Sequence, residues 1–185
     1  GFDVAAAVEI DPVHCAVHKF NFPKTAIIPH SVEGLSAELI RKAAGIGQAP
    51  VDCVFGGAPC QGFSLIGHRV LDDPRNKLVL DFVRIVSQLK ARTFVFENVK
   101  GLTVGKHKHF LKELVEAFDR EGYNVRVPWK VLNAGNFGAP QFRERLILLG
   151  CRKDEKLPDY PVELTNLAGR AKKIEAELYR RPVHD

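Results

Sequence analysis

Methionine is absent from all 185 residues, position 1 included, and tryptophan occurs once. The chain opens Gly1-Phe2-Asp3-Val4, straight into an apolar stretch, without the basic, apolar and small-residue zones of a secretory leader. Such a start reads as a piece of a longer protein. Long apolar runs are missing too. None approaches the roughly 20 residues of a membrane-spanning helix. The four cysteines, Cys15, Cys53, Cys60 and Cys151, include no C-x-x-C pair. That argues against a zinc site or a disulfide framework and for a reducing, intracellular compartment, the cytoplasm or nucleoid if the source is prokaryotic. No internal repeat or low-complexity tract is evident. What is present is an ordinary globular composition, 45% hydrophobic and 26% charged, which excludes wholesale disorder. Lys and Arg number 27 against 22 acids, a net charge of +5 that is compatible with a nucleic-acid partner without requiring one.

Apolar runs alternate with helical patterns. Val4–Val8 is a short apolar run. Asp11 then has the character of an N-cap and Pro12 of a first helical residue. Val13, Ala16, Val17 and Phe20 follow at i, i+3, i+4 and i+7, one face of a helix stopping before Pro23. Thr25–Ile28 is a second candidate strand, and Ser36–Ala44 a short helix closed by Gly45. Val51–Phe55 is apolar enough for a strand buried on both faces. Leu78, Phe82, Ile85, Val86 and Leu89 stripe the next helix, Thr93–Phe96 reads as a strand, and Phe110, Leu111, Leu114, Val115 and Phe118 define a helix that Gly122 stops. Val125–Leu132 and Leu146–Leu149 read as closing strands, and 167–178 as one further helix. The alternation predicts a mainly parallel sheet covered on both faces. Ligands of such sheets bind beyond the carboxyl ends of the strands. Glu9, Gly56-Gly57-Ala58-Pro59-Cys60 and Glu97-Asn98 all fall at such ends.

Cys60 follows a buried strand and is flanked by glycines that permit close approach of a ligand, a setting suited to a nucleophilic thiolate. An inert core cysteine is the competing explanation, which the Pro-Cys-Gln context disfavours. Glu97 closes an otherwise apolar strand, where a carboxylate can hold or deliver a proton, or serve as a cap. Gln141-Phe142-Arg143-Glu144-Arg145 alternates as a strand does and would put Gln141, Arg143 and Arg145 on one face. Two guanidinium groups so aimed suit a phosphate or a carbonyl oxygen; an exposed edge strand is the alternative. His14 and His18 stand four apart on a helix, as do metal ligands, but no third ligand accompanies them, and no metal is expected.

Together these blocks resemble the signature of the cytosine-C5 DNA methyltransferases. Pro59-Cys60-Gln61, Phe96-Glu97-Asn98-Val99 and Gln141-x-Arg143-x-Arg145 stand in that family's order. Phe63-Ser64, Asp73-x-Arg75 and Asn133-Ala134-x-x-Phe137-Gly138-x-Pro140 agree, as does Val8-Glu9-x-Asp11 near the start. The likeness covers roughly residues 1–150. It implies a doubly wound α/β fold of the Rossmann-like, S-adenosylmethionine-dependent type, incomplete at its first strand. S-adenosylmethionine is the implied methyl donor, with Glu9 on its ribose, Ile10 on its adenine and Pro59 lining its pocket. Pro29-His30-Ser31-Val32 departs from the family pattern, which often has an Asp there.

The resemblance also implies a chemistry. Cys60 adds to C6 of a cytosine flipped out of double-stranded DNA, Glu97 engages N3, Arg145 holds O2 and Arg143 organises the site. Gln61, Ser64, Arg75 and Gln141 are the implied nucleic-acid contacts; Ser64 and Arg75 stand with Arg69 on a loop from Gly62 to Lys77 that closes over DNA. Neither a membrane nor a protein partner is required. Residues 1–150 then form a partial catalytic domain and 151–185 a charged extension leading toward a target-recognition region, so that the fragment alone is expected to be inactive. Two other readings stay open at this point: a transfer-RNA cytosine methyltransferase of the same fold, and a non-catalytic binding module.

Overall fold

A computed structural model describes residues 2–59, 76–104 and 107–164. Over these the chain runs β1 (Ala6–Glu9), α1 (Pro12–Asn21), β2 (Ala26–Pro29), α2 (Ala37–Ala44), β3 (Cys53–Gly56), α3 (Lys77–Gln88), β4 (Thr93–Val99), α4 (His107–Arg120), β5 (Tyr123–Val125), β6 (Lys130–Asn133) and β7 (Glu144–Arg152). Local chemistry sets the ends. The Asp11 carboxylate accepts from Val13 N at 2.8 Å and His14 N at 3.1 Å, satisfying two of the amides that α1 leaves unpaired. Those bonds hold the Asp11 carboxyl below its ordinary range. Ser36 caps α2 by accepting from Leu39 N at 3.2 Å, and Gly45, at φ 66°, ends that helix in the left-handed conformation that glycine takes without strain.

The strands form two sheets. β1 and β2 pair in parallel, Ala6 opposite Ala26 through Glu9 opposite Pro29. The second sheet has the order β3-β4-β7-β5, with β6 also on β7. β3 and β4 are parallel, whereas β7 meets β4, β5 and β6 antiparallel. The α/β architecture is the one expected, but the sheet is mixed rather than mainly parallel, because β7 enters reversed between β4 and β5. No ladder joins β1 to β3 among the described residues; side chains do. Leu35, Ala37 and Ile40 of the α2 region meet Ile85 and Leu89 of the α3 region, and Ala6, Val8, Ile28 and Val54 pack against them.

The larger core lies under β4 and β7. Phe94 and Phe96 of β4, Leu146 and Leu148 of β7, Val79, Phe82 and Val86 of α3, and Phe110, Leu114 and Phe118 of α4 are all buried there. The Phe94 ring stacks on Phe118 with centroids 3.9 Å apart and 10° between planes. Tyr123 closes the bottom, its hydroxyl within 2.8 Å of Ala91 O and 3.0 Å of Val86 O. Burial pushes its phenol up to about 12.

Four expectations need correction. The Val13, Ala16, Val17, Phe20 face of α1 points outward, with Val13, Val17 and Phe20 at 66, 54 and 86% exposure, and the helix instead buries Cys15, whose thiol donates to Glu9 O at 3.2 Å. β3 is not buried on both faces: Phe55 is 67% exposed, since no helix covers that side of the strand among the described residues. Val125–Leu132 is not one strand. Val127 and Pro128 separate β5 from β6, and proline has no amide hydrogen to give a ladder. β7 starts at Glu144, so Gln141 and Arg143 precede the strand and do not share its alternation with Arg145. The expected helix over 167–178 lies outside the described residues.

Candidate active site

The site is built where β3, β4 and β7 lie side by side. In the antiparallel β4–β7 ladder Glu97 stands opposite Ile147 and Val99 opposite Arg145. Glu97 and Arg145 are therefore diagonal neighbours on one face, the separation at which long side chains meet. Arg145 Nε lies 2.7 Å from Glu97 Oε1, with the arginine side chain 27% and the glutamate 41% exposed. The pair is partly shielded yet open to a ligand. Strand alternation puts Phe94, Phe96 and Asn98 on the opposite, core-facing side. Glu97 thus lies within β4 rather than at its end, since the strand continues to Val99.

Gly57 follows β3 directly, and Gly56 is registered with Phe96, which brings Gly57 beside Glu97. A Cβ at Gly57 would lie 2.7 Å from Glu97 Oε2. Asn98, only 7% exposed, donates from Nδ2 to Ala58 O at 2.9 Å and accepts the Val99 amide at 2.9 Å. It fixes the backbone two residues before Cys60. Lys100 Nζ meets Glu144 Oε2 at 2.9 Å across the end of the β4–β7 ladder, and Arg145 Nη1 donates to Glu144 O at 2.8 Å. Below this, Asn133 accepts from Gly135 N at 3.0 Å and Ala134 N donates to Arg143 O at 3.0 Å, which anchors the turn carrying Gln141 and Arg143. Both of those side chains belong to exposed residues.

Glu9 ends β1 on the other sheet. Its Oε1 accepts from Asp11 N at 2.9 Å and its Oε2 lies 3.9 Å from His14 Nδ1. Ile10 beside it is exposed. The loop after β2 is braced against α3. Arg84 donates to Leu35 O at 2.7 Å and Val32 O at 3.0 Å while bonding the Asp81 carboxylate at 2.7 Å, and Lys77 pairs with Glu33. The Glu33 partnership raises the Lys77 ammonium above its ordinary value.

Among the sequence-predicted residues the structure brings together Glu97 and Arg145. Pro59 stands two residues past Gly57 and is exposed, Glu9 and Ile10 stand at the end of β1, and Gln141 and Arg143 occupy the turn before β7. Cys60, Gln61, Ser64, Arg69 and Arg75 lie outside the described residues. The contributions of Gly57, Asn98 and Lys100 were not legible from spacing alone. Asn98 had one signal: alternation from Glu97 turns it into the core, where a polar side chain needs a partner. Among the described residues no cluster of three or more His, Cys, Asp or Glu is placed to hold a metal ion. No described helix is long and apolar enough to cross a membrane.

A strand-borne carboxylate–guanidinium pair at the mouth of an α/β sheet, beside Gly57, is the candidate ligand-handling centre. The C-5 cytosine-specific DNA methylase family matches residues 1–180, and the chain belongs to that family. Particular relatives sharpen this. The chain is 60% identical over 161 residues to the type II methyltransferase M.XorII of Xanthomonas oryzae pv. oryzae, covering 87% of this chain and 38% of the relative. It is 41% identical over 159 residues to M.AquIA of a Picosynechococcus species, covering 82% and 64%. In structure it resembles a prophage-encoded E. coli protein described as a DNA modification methyltransferase, at TM-score 0.69 and 31% identity over 100% of this chain and 50% of that one. It also resembles a DNMT2 variant of Spodoptera frugiperda, at TM-score 0.58 and 25% identity over 89% and 46%. The chain therefore spans between about two fifths and two thirds of the length of these relatives. The fold is that of the Rossmann-like methyltransferases.

Proposed function

We propose that this chain is the catalytic portion of an enzyme that methylates C5 of cytosine in double-stranded DNA, with S-adenosylmethionine as donor. The Glu97–Arg145 pair carries the reading. N3 and O2 are adjacent atoms on one edge of cytosine, and a carboxylate and a guanidinium held 2.7 Å apart match adjacent positions on such an edge. Glu97 hydrogen-bonds or protonates N3, while Arg145 donates to O2. Both contacts draw electron density from the ring.

The Cys60 thiolate then forms a bond to C6, and the C5–C6 π electrons move to C5. C5 is thereby a nucleophile, a role it does not have in the intact aromatic ring. S-adenosylmethionine, when bound, would supply the electrophilic methyl group, its sulfonium–methyl bond breaking to leave a neutral thioether. With the C5–methyl bond made, loss of the C5 proton to a base returns electrons to C5–C6 and breaks the S–C6 bond, which frees Cys60. A group that must both attack and depart is better served by sulfur than by a serine oxygen.

Glu9 and Ile10 fit the donor by their chemistry. The Glu9 carboxylate spends part of its acceptor capacity on Asp11 N and retains more for ribose hydroxyls, and exposed Ile10 offers an apolar surface to an adenine ring. Pro59 lines the same pocket. Gln61, Ser64, Arg75 and Gln141 approach the DNA, and Arg143 organises the site around the base. A stacked cytosine presents none of C5, C6 and N3 to these groups at once, so the base is flipped out.

The test is a covalent trap in the complete enzyme. DNA carrying 5-fluorocytosine cannot lose its C5 substituent as a proton, so a denaturation-resistant adduct accumulates with the parent protein and none forms with Cys60→Ser. An adduct on Cys60→Ser refutes the assignment of the nucleophile. An adduct with 5-fluorocytosine RNA and none with DNA refutes the DNA substrate; membership of the C-5 cytosine-specific DNA methylase family favours DNA.

A further inference from the structure

Gly57 is not a glycine for its backbone. Its φ lies outside the positive region that Gly34, Gly45, Gly122 and Gly138 occupy, so an L side chain suits the main chain there. What it lacks room for is a Cβ. That atom would fall 2.7 Å from Glu97 Oε2, 3.4 Å from Glu97 O and 3.8 Å from Glu97 Cδ, and the first separation is closer than non-bonded carbon and oxygen tolerate. The tip of a free glutamate would swing away. This one is tethered, because its other oxygen is held at 2.7 Å by Arg145 Nε. A methyl at position 57 and an unmoved Glu97–Arg145 pair are mutually exclusive.

The geometry points to Gly57 as a positioning residue: its missing side chain leaves the second carboxylate oxygen of Glu97 in place and free to address the cytosine ring. This rests on the proposed role of Glu97. Gly57 has no charge, touches no reacting atom and acts through Glu97 alone. Glutamate reaches the base from β4, and β3 must present a blank surface where the two strands run out together.

The experiment is a double-mutant cycle in the complete enzyme with Gly57→Ala, Glu97→Asp and the pair combined. Gly57→Ala is expected to lower kcat about 30- to 100-fold, the scale of a misplacement of about 1 Å at a reacting group. KM for DNA and for the donor should move less than about threefold and Tm by about 2 °C or less. Aspartate withdraws the carboxylate by about one C–C bond, roughly 1.5 Å, from the added methyl. In the Glu97→Asp background the same Gly57→Ala change should therefore cost less than about threefold. The limb of the kcat–pH profile that reports the acid should also shift in Gly57→Ala. An equal cost in both backgrounds overturns the inference. So does a rise in donor KM with kcat intact, which would place the methyl against the donor instead. Glu97→Gln separates the two levels. If it leaves kcat unchanged, the proposed role of Glu97 fails. If it abolishes turnover while Gly57→Ala matches the parent, only the Gly57 inference falls.

Discussion

Gly150 sits in β7 between two partners, opposite Phe94 on β4 and Val125 on β5. A Cβ there would lie 2.2 and 2.3 Å from Cε1 and Cζ of Phe94 and 2.8 Å from Asn124 O. Ordinary carbon contacts are about 3.6 Å, so the ring would have to retreat by roughly 1.4 Å. It has nowhere to go, since Phe118 stacks on it at 3.9 Å and both rings are fully buried. Overpacking of this kind costs about 2–3 kcal/mol, and disturbing the Phe94–Phe118 stack adds about 1 kcal/mol. The smaller entropy of an alanine in the unfolded chain returns about 0.5–1 kcal/mol. Gly150→Ala should thus destabilise by about 3 kcal/mol, or roughly 6–12 °C in Tm. Urea unfolding followed by circular dichroism measures the first and a thermal scan the second. Phe94→Leu supplies the internal control: combined with Gly150→Ala it should cost at least about 1 kcal/mol less than the sum of the two single changes. The Asn124 carbonyl clash would remain. Destabilisation by Gly150→Ala of less than about 0.5 kcal/mol, or strict additivity, would refute the reasoning.

Other outcomes follow from the same contacts. Asn98→Leu removes the bond to Ala58 O and puts an apolar side chain in place of a buried, hydrogen-bonded amide, at about 1–2 kcal/mol; trapping on 5-fluorocytosine DNA should slow, because the backbone two residues before Cys60 loses one of its ties. Arg84→Met frees the Leu35 carbonyl, leaves Val32 O with the Leu35 amide alone and strands the mostly buried Asp81 carboxylate, so about 2–3 kcal/mol should be lost in chemical denaturation, with Asp81→Asn in the same background recovering part of it. Acid sensitivity has a defined sign. Asp11, through its two helix-cap bonds, and Glu155, through its bond to Arg92, are held below their ordinary values. Their contribution is complete above the unfolded carboxylate range and is lost as pH falls through the lower folded values. Asp11→Asn with Glu155→Gln should flatten stability against pH at the acid end, as read by Tm.

Much of this was legible in the sequence, and the reasons differ by element. Asp11-Pro12, Ser36 and Gly45 announce helix ends through short-range chemistry, and the helix boundaries match them. Glu97 and Arg145 were separately visible as strand-borne charges in ordered blocks. Their pairing was not, because it depends on β7 entering antiparallel in a register that puts Val99 opposite Arg145. Periodicity also misplaced α1: the spacing of Val13, Val17 and Phe20 gives an apolar face but not what covers it, and here the face is open. Gly57 illustrates the deepest limit. Two adjacent glycines at the end of a strand look alike in the sequence, and only their neighbours, the Phe82 ring for Gly56 and the Glu97 carboxylate tip for Gly57, tell them apart.

Among the described residues the two sheets are joined through Leu35, Ile40, Ile85 and Leu89 rather than through a ladder. Backbone hydrogen bonds would tie their openings together; interdigitated side chains do so less strongly. Amides of β4 and β7, with seven paired positions between them, are expected to exchange with solvent only when the molecule unfolds globally, while those of β1 and β2, with four, should exchange through a smaller, local event. The proposed donor acid Glu9 and the proposed base contact Glu97 thus belong to regions of unequal protection. Hydrogen–deuterium exchange should rank β1–β2 ahead of β4–β7, and a ligand held by Glu9 and Ile10 should slow exchange most in the weaker sheet.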